Sequence, residues 1–142
     1  MSACPLETAS ALLARLHAAD PGVAQVGSIE LASTTNGWQL SAGGQALVTA
    51  LEQLAALATA DAEVLAVADI LRRDQKFSPP GRPSLHLVQL RRQQSRVQLG
   101  QRTARQAWGA AAAVFVRQAG LPLRPGSSAG DSLLRWLATL PH

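Results

Sequence analysis

The segment "QLRRQQSRVQLGQRTAR", residues 89–105, carries five arginines, Arg91, Arg92, Arg96, Arg102 and Arg105, and no acidic residue. A guanidinium presents a planar fork of donors that matches the oxygens of a phosphate or carboxylate two at a time. The chemistry on offer is therefore anion recognition. Gln93, Gln94, Gln98, Gln101 and Gln106 add uncharged donors and acceptors suited to phosphate, sugar or base edges. No acid occurs between Asp74 and Asp131, so these arginines lack a counter-ion in their own stretch. An ordinary solvated helix face mixes signs, because opposite charges four residues apart contribute a few tenths of a kcal/mol. Arg92 and Arg96, four apart, repel instead. Keeping that repulsion makes sense when an external anion relieves it.

Further cations lie upstream. Arg72, Arg73 and Lys76 close the preceding helical stretch, where positive charge also suits the C-terminal dipole. Arg82 sits in "PGRP", which is similar to the Gly-Arg-Pro core of an AT-hook, with Pro80 where that motif has a second arginine.

Other reactive residue types are scattered. His17, His86 and His142 have no companion at metal-ligand spacing, and the single cysteine, Cys4, forms neither an internal disulfide nor a cysteine zinc site. "AGG" at residues 42–44 is too short for a phosphate loop. Asp61 and Glu63 suit a helix start as well as they suit chemistry. The expectation is a non-enzymatic chain with no metal and no small-molecule cofactor.

Charge is divided along the chain. Residues 1–71 hold one basic and seven acidic residues, a net −6, and residues 72–142 hold twelve basic and two acidic, a net +10. Asymmetry of this kind points to a polyanionic partner, or to an acid-to-base contact within or between chains. Twelve of the thirteen basic residues are arginine, a bias that GC-rich coding also produces.

The arginines must be positioned by helices. With 47% hydrophobic and 15% charged residues, much of the apolar share alanine, the 142-residue chain is expected to fold as one mainly α domain. Residues 1–75 form an acidic half, 76–84 a Pro-rich connector and 85–142 a basic helical half. "PLETASALLARLHAAD" predicts a first helix ended by "DPG". "SIELASTTNGWQLS" predicts a β-hairpin over 28–41, with Asn36-Gly37 as a two-residue turn and Ile29, Leu31, Trp38 and Leu40 on one face. Ser41 caps a long helix along Leu47, Leu51, Leu54 and Ala58. "TADAE" at 59–63 predicts a kink or short break in it. "KFSPPGRPS" at 76–84 cannot be helical throughout.

From Ser84 to about Gln118 runs the arginine helix, stopped by Gly120 and Pro122. At about 100° per residue, Leu90, Val97, Ala104, Trp108, Ala111 and Phe115 fall within roughly 60°, while the arginines, Arg117 included, occupy a separate arc of roughly 180°. "PGSSAG" at 125–130 reads as a flexible link, and Asp131 as the cap of a last helix carrying Leu133, Trp136, Leu137 and Leu140. The architecture expected is a small helical bundle built on a long helical hairpin, with one attached β-hairpin.

"IELASTTNGWQLSAGGQALVTALEQL" resembles the wing hairpin and following helix of winged-helix regulators, through Leu40, Ser41 and Gly44. The 28 residues before it are too few for the three helices such a domain places there, which leaves the likeness local.

No long apolar stretch predicts a membrane span and no basic-then-apolar leader opens the chain, so a cytoplasmic protein without membrane contact is expected. The function expected is that of a bacterial-type accessory protein binding DNA or RNA through Arg91, Arg92, Arg96, Arg102 and Arg105, with Arg72, Arg73, Lys76 and Arg82 in support. The rival is a helical interaction subunit whose arginines dock on an acidic protein partner or on a second copy of the chain.

Overall fold

The computed structural model describes residues 5–77 and 85–140. Cys4, His142, Ser84 and most of the connector with Arg82 lie outside the described residues. Leucine and alanine at helical spacing produce four helices, α1 (Pro5–His17), α2 (Ala42–Phe77), α3 (Leu85–Ala119) and α4 (Ala129–Ala138). Two short antiparallel hairpins precede α2: β1 (Gln25–Val26) with β2 (Ile29–Glu30), and β3 (Ala32–Ser33) with β4 (Gln39–Leu40). The fold is mainly α, built on the long α2–α3 hairpin.

The chain forms two compact units, Met1–Ala55 with Ala107–His142, and Ala56–Gln106. In the first, α1 packs on α4 and buries Ala9, Leu12 and Leu16. Leu47, Ala50, Leu51 and Leu54 of α2 and Trp108, Ala112, Phe115 and Val116 of α3 are also buried there. Phe115 lies against Trp136, with ring centroids 5.2 Å apart and tilted by 52°, an arrangement that suits the opposed charges of ring face and edge. In the second unit the two helices run antiparallel. Leu71 clusters with Leu87 and Leu90, and Gln101 Nε2 donates to Asp61 Oδ1 over 2.6 Å.

Helix ends follow from local chemistry. At the close of α1 the amide of Asp20 returns to the Arg15 carbonyl (3.0 Å) and that of Ala19 to Leu16 (3.3 Å), with Ala19 left-handed at φ 56°. This is the Schellman arrangement with alanine where glycine is usual. Asp20 then caps the 3-10 turn Pro21–Val23, accepting from the Gly22 amide at 2.9 Å and from Arg15 Nε at 2.8 Å. The Arg15 bond, then the Gly22 amide, hold the Asp20 carboxyl below its ordinary pKa. A lowered folded value means that this corner's contribution is present above the ordinary Asp range and is lost as pH falls through the lowered one. At the close of α3 the Leu121 amide reaches the Val116 carbonyl at 3.1 Å, past a left-handed Gly120.

Four expectations are corrected. The single hairpin over 28–41 is two hairpins, and the second is not closed by a two-residue Asn36-Gly37 turn. Ala32 pairs with Leu40 and Ser33 with Gln39, which centres the loop on Asn36 itself. The type I′ turn that Asn-Gly favours also needs positive φ at both positions, and of the pair only Gly37 has it. The break at 59–63 does not occur, because α2 is continuous from Ala42 to Phe77. Asp61 is spent on Gln101 rather than on a helix start, and the alanines around it favour helix. The cap of α4 is Ser128, whose hydroxyl accepts from the Asp131 amide while Asp131 reaches back to the Ser128 amide; Asp131 is the third helical residue of a capping box. The 125–130 stretch is not a link throughout: Ala129 and Gly130 already belong to α4, Gly130 is buried against the Trp108 indole, and the Ser127 amide bonds the Arg124 carbonyl at 3.0 Å.

Ser41 does cap α2, accepting from the Gly44 amide at 3.0 Å and donating to the Glu30 carbonyl at 2.7 Å. Its own amide bonds the Leu31 carbonyl at 2.9 Å. These bonds draw the first turn of α2 so close to residues 30 and 31 that a Cβ on Gly44 would overlap the Leu31 carbonyl. Gly44→Ala is expected to destabilise the protein by about 1–3 kcal/mol, since backbone must move to relieve overpacking. Gly109→Ala, where a Cβ meets nothing within 4 Å, is expected to stabilise by up to about 1 kcal/mol from helix propensity. Urea denaturation of the two variants checks the opposite signs. Ala19→Gly, followed the same way, is expected to gain about 1 kcal/mol by removing the left-handed Cβ clash.

Candidate nucleic-acid interface

The α3 segment that carries the arginines is fixed by its opposite side. Leu87 and Leu90 are buried, Val97 and Ala104 are half-buried, and Gln101 is tied to Asp61. With that stripe held inward, Arg91, Arg92, Arg96, Arg102 and Arg105 are all exposed, and all five belong to the Ala56–Gln106 unit. Arg105 lies fourteen positions after Arg91, a span of about 21 Å at 1.5 Å per residue.

The decisive question is whether carboxylates of the chain already neutralise them. Among the described residues the ion pairs are Arg15 with Asp20, His17 with Glu52, and Arg72 and Arg73 with Asp69. None involves an arginine of residues 91–105. Asp61, an α2 carboxylate bonded to α3, meets the neutral amide of Gln101. The Ala56–Gln106 unit contains nine basic and four acidic residues, a net +5, while the other unit comes to −1. The charge excess thus belongs to the helical-hairpin unit and is concentrated on one face of α3.

The other expected cations differ. Arg72 and Arg73 both approach Asp69, at 3.9 and 3.1 Å, so their charge is partly offset at the surface. Such exposed pairs contribute about 0–1 kcal/mol, and the effect is on the local field more than on stability. Lys76 is exposed at the end of α2, and Arg82 lies outside the described residues. Arg117 is exposed but belongs to the other unit.

The neutral residues of the face sort in the same way. Gln93, Gln98 and Gln106 are exposed, Gln94 is half-buried and Gln101 is committed to Asp61. Ser95 and Thr103 donate back to the carbonyls of Arg91 and Leu99, at 3.3 and 3.1 Å. Leu99 is 61% exposed in the midst of the arginines. The sequence reading passed over Leu99 and Ser95, although Leu99 projects about 160° from Val97 and its stripe on the same helical projection.

Among the described residues no aromatic side chain joins this face. Trp108 is buried and Trp38 half-buried, and both belong to the other unit. The arrangement can bind anionic oxygens through charge-assisted hydrogen bonds.

Comparison of the chain with protein-family models, with curated proteins and with solved structures finds no match.

Proposed function

We propose that this protein is a nucleic-acid-binding accessory factor whose α3 face contacts the phosphate backbone without catalysing a reaction. One observation carries the reading: five exposed guanidiniums within about 21 Å of helix, with no carboxylate paired to any of them among the described residues. A nucleic-acid strand offers phosphates about 3.4 Å apart along a duplex axis, so the same span faces about six charges on one strand. Each strand of a duplex thus presents at least as many phosphates along this span as the face has guanidiniums. A folded acidic protein surface mixes its carboxylates with neutral and basic side chains and seldom presents so regular a row.

The log of the association constant is expected to fall with log salt at a slope of about −4.5 on duplex DNA if five phosphates are neutralised. Mobility shift across a salt series measures it, beside an Arg92→Glu, Arg96→Glu, Arg105→Glu variant whose helical content is verified by circular dichroism. That variant is expected to lose the shift. If folded, monodisperse wild type fails to bind nucleic acid even at low salt, the acidic-protein reading takes its place.

A single substitution separates function from stability. Arg92→Glu places a carboxylate four residues before Arg96, replacing repulsion by the favourable orientation of an ion pair. The free protein is expected to gain about 0.5 kcal/mol in thermal or urea denaturation, while its affinity for nucleic acid falls.

A further inference from the structure

The five arginines do not form one stripe. Taking about 100° per residue, Arg92 and Arg96 project together on one flank of the exposed face of α3, and Arg91, Arg102 and Arg105 on the other. Between the flanks runs a neutral ridge, Ser95, Leu99 and Gln106, all exposed. The ridge points directly away from the half-buried Val97 and Ala104 and the buried Leu90, and the arginines of the two flanks lie about 40–100° to either side of it.

We propose that this geometry seats α3 in the major groove of duplex DNA, with one cationic flank on each phosphate wall and the ridge toward the base edges. The proposal rests on the nucleic-acid reading above and narrows it to one substrate class. A helix with its side chains is about 10–12 Å across, and the B-form major groove is about 12 Å wide. Two cation rows flanking an uncharged ridge match a groove bounded by two phosphate strands. A single strand supplies one such row, and proteins that hold single strands add aromatic platforms, which this face lacks. A-form RNA has a major groove too deep and narrow to admit a helix. A lipid surface demands an apolar helix face turned outward, whereas on this segment of α3 the apolar stripe is turned inward and Leu99 stands alone among polar neighbours.

The ridge also defines what can be read. Gln106 carries the amide that pairs with adenine N6 and N7, and Leu99 the apolar surface that meets a thymine methyl. Ser95 already donates its hydroxyl to the Arg91 carbonyl and is left with its oxygen as an acceptor. The flanks supply affinity and the ridge a preference for A·T steps.

Fluorescence anisotropy with the full chain and one sequence presented as DNA duplex, single-stranded DNA and RNA duplex tests the arrangement. Three double variants accompany it: Arg92→Gln with Arg96→Gln, Arg91→Gln with Arg102→Gln, and Leu99→Ala with Gln106→Ala. Glutamine is close to arginine in helix propensity, so the fold is retained. The DNA duplex is expected to bind about tenfold or more tighter than either alternative. Each arginine pair is expected to reduce the magnitude of the salt slope by about 1.8. The ridge pair is expected to weaken duplex binding with the slope unchanged. Equal affinity for the single strand or the RNA duplex overturns the groove placement while leaving phosphate binding in force, as does a slope that responds to one flank only. Absence of binding to all three overturns the groove and the underlying function together.

Discussion

The apolar stripe of α3 is the constraint on which the rest depends. Leu87 and Leu90 against Leu71 fix the rotation of the helix in one unit, and Trp108, Ala112 and Phe115 are buried in the other. A buried leucine or phenylalanine contributes about 1.5–3 kcal/mol, while a like-charge pair four residues apart costs a few tenths. The stripe therefore wins by a wide margin, and the arginines are carried outward at small energetic cost. Stability explains how the fold tolerates them. It does not explain why glutamate is missing from the same face, where it would have relieved the repulsion.

What could be read in advance depended on how local the deciding forces were. The bounds of α3 and its division into apolar and cationic arcs were legible because both arise from one uninterrupted helical period, ended by a glycine that adopts the left-handed conformation. The β-hairpin register was not. Asn36-Gly37 prefers a two-residue turn, but the ladder is anchored at its base, where Leu31 accepts from the Ser41 amide and the first turn of α2 rides against that carbonyl. With Leu31 and Ser41 tied together, pairing propagates inward as Ala32 with Leu40, and the loop must centre on Asn36. Tertiary anchoring outweighs the turn preference. The continuity of α2 through Asp61 is a case of the same kind, since the partner that occupies Asp61 lies forty residues away in α3.

The candidate face was legible as charge and less so as arrangement. Arg72 and Arg73 stand three and four residues after Asp69, so their surface pairing follows from spacing alone. By contrast, which glutamines remain available could not be judged locally: Gln101 is withdrawn by Asp61, whereas Gln98 and Gln106 stay exposed. The place of Leu99 was open to the same projection that separated stripe from arginines, on which only those two sets of residues were placed. An exposed leucine is unremarkable by itself. Its meaning comes from having Arg96 and Arg102 three residues to either side.

The disposition of acids bears on the field as much as that of the cations. Two of the four carboxylates in the helical-hairpin unit are accounted for away from the arginine face, Asp61 on a neutral amide and Asp69 on cations of its own helix. An arginine at position 101 would have met Asp61 as an ion pair, adding no cation for an external anion and little to stability at a surface site. Glutamine there holds the helices in register through a hydrogen bond that leaves the outward charge untouched. Since ionic strength in the physiological range screens beyond about 8 Å, the potential over α3 is set by groups on that face and hardly at all by distant acids. The chain's net +4 thus understates what an approaching polyanion meets. The outward face of α3 carries five guanidiniums, with Asp61 and Asp69 of the same unit engaged elsewhere.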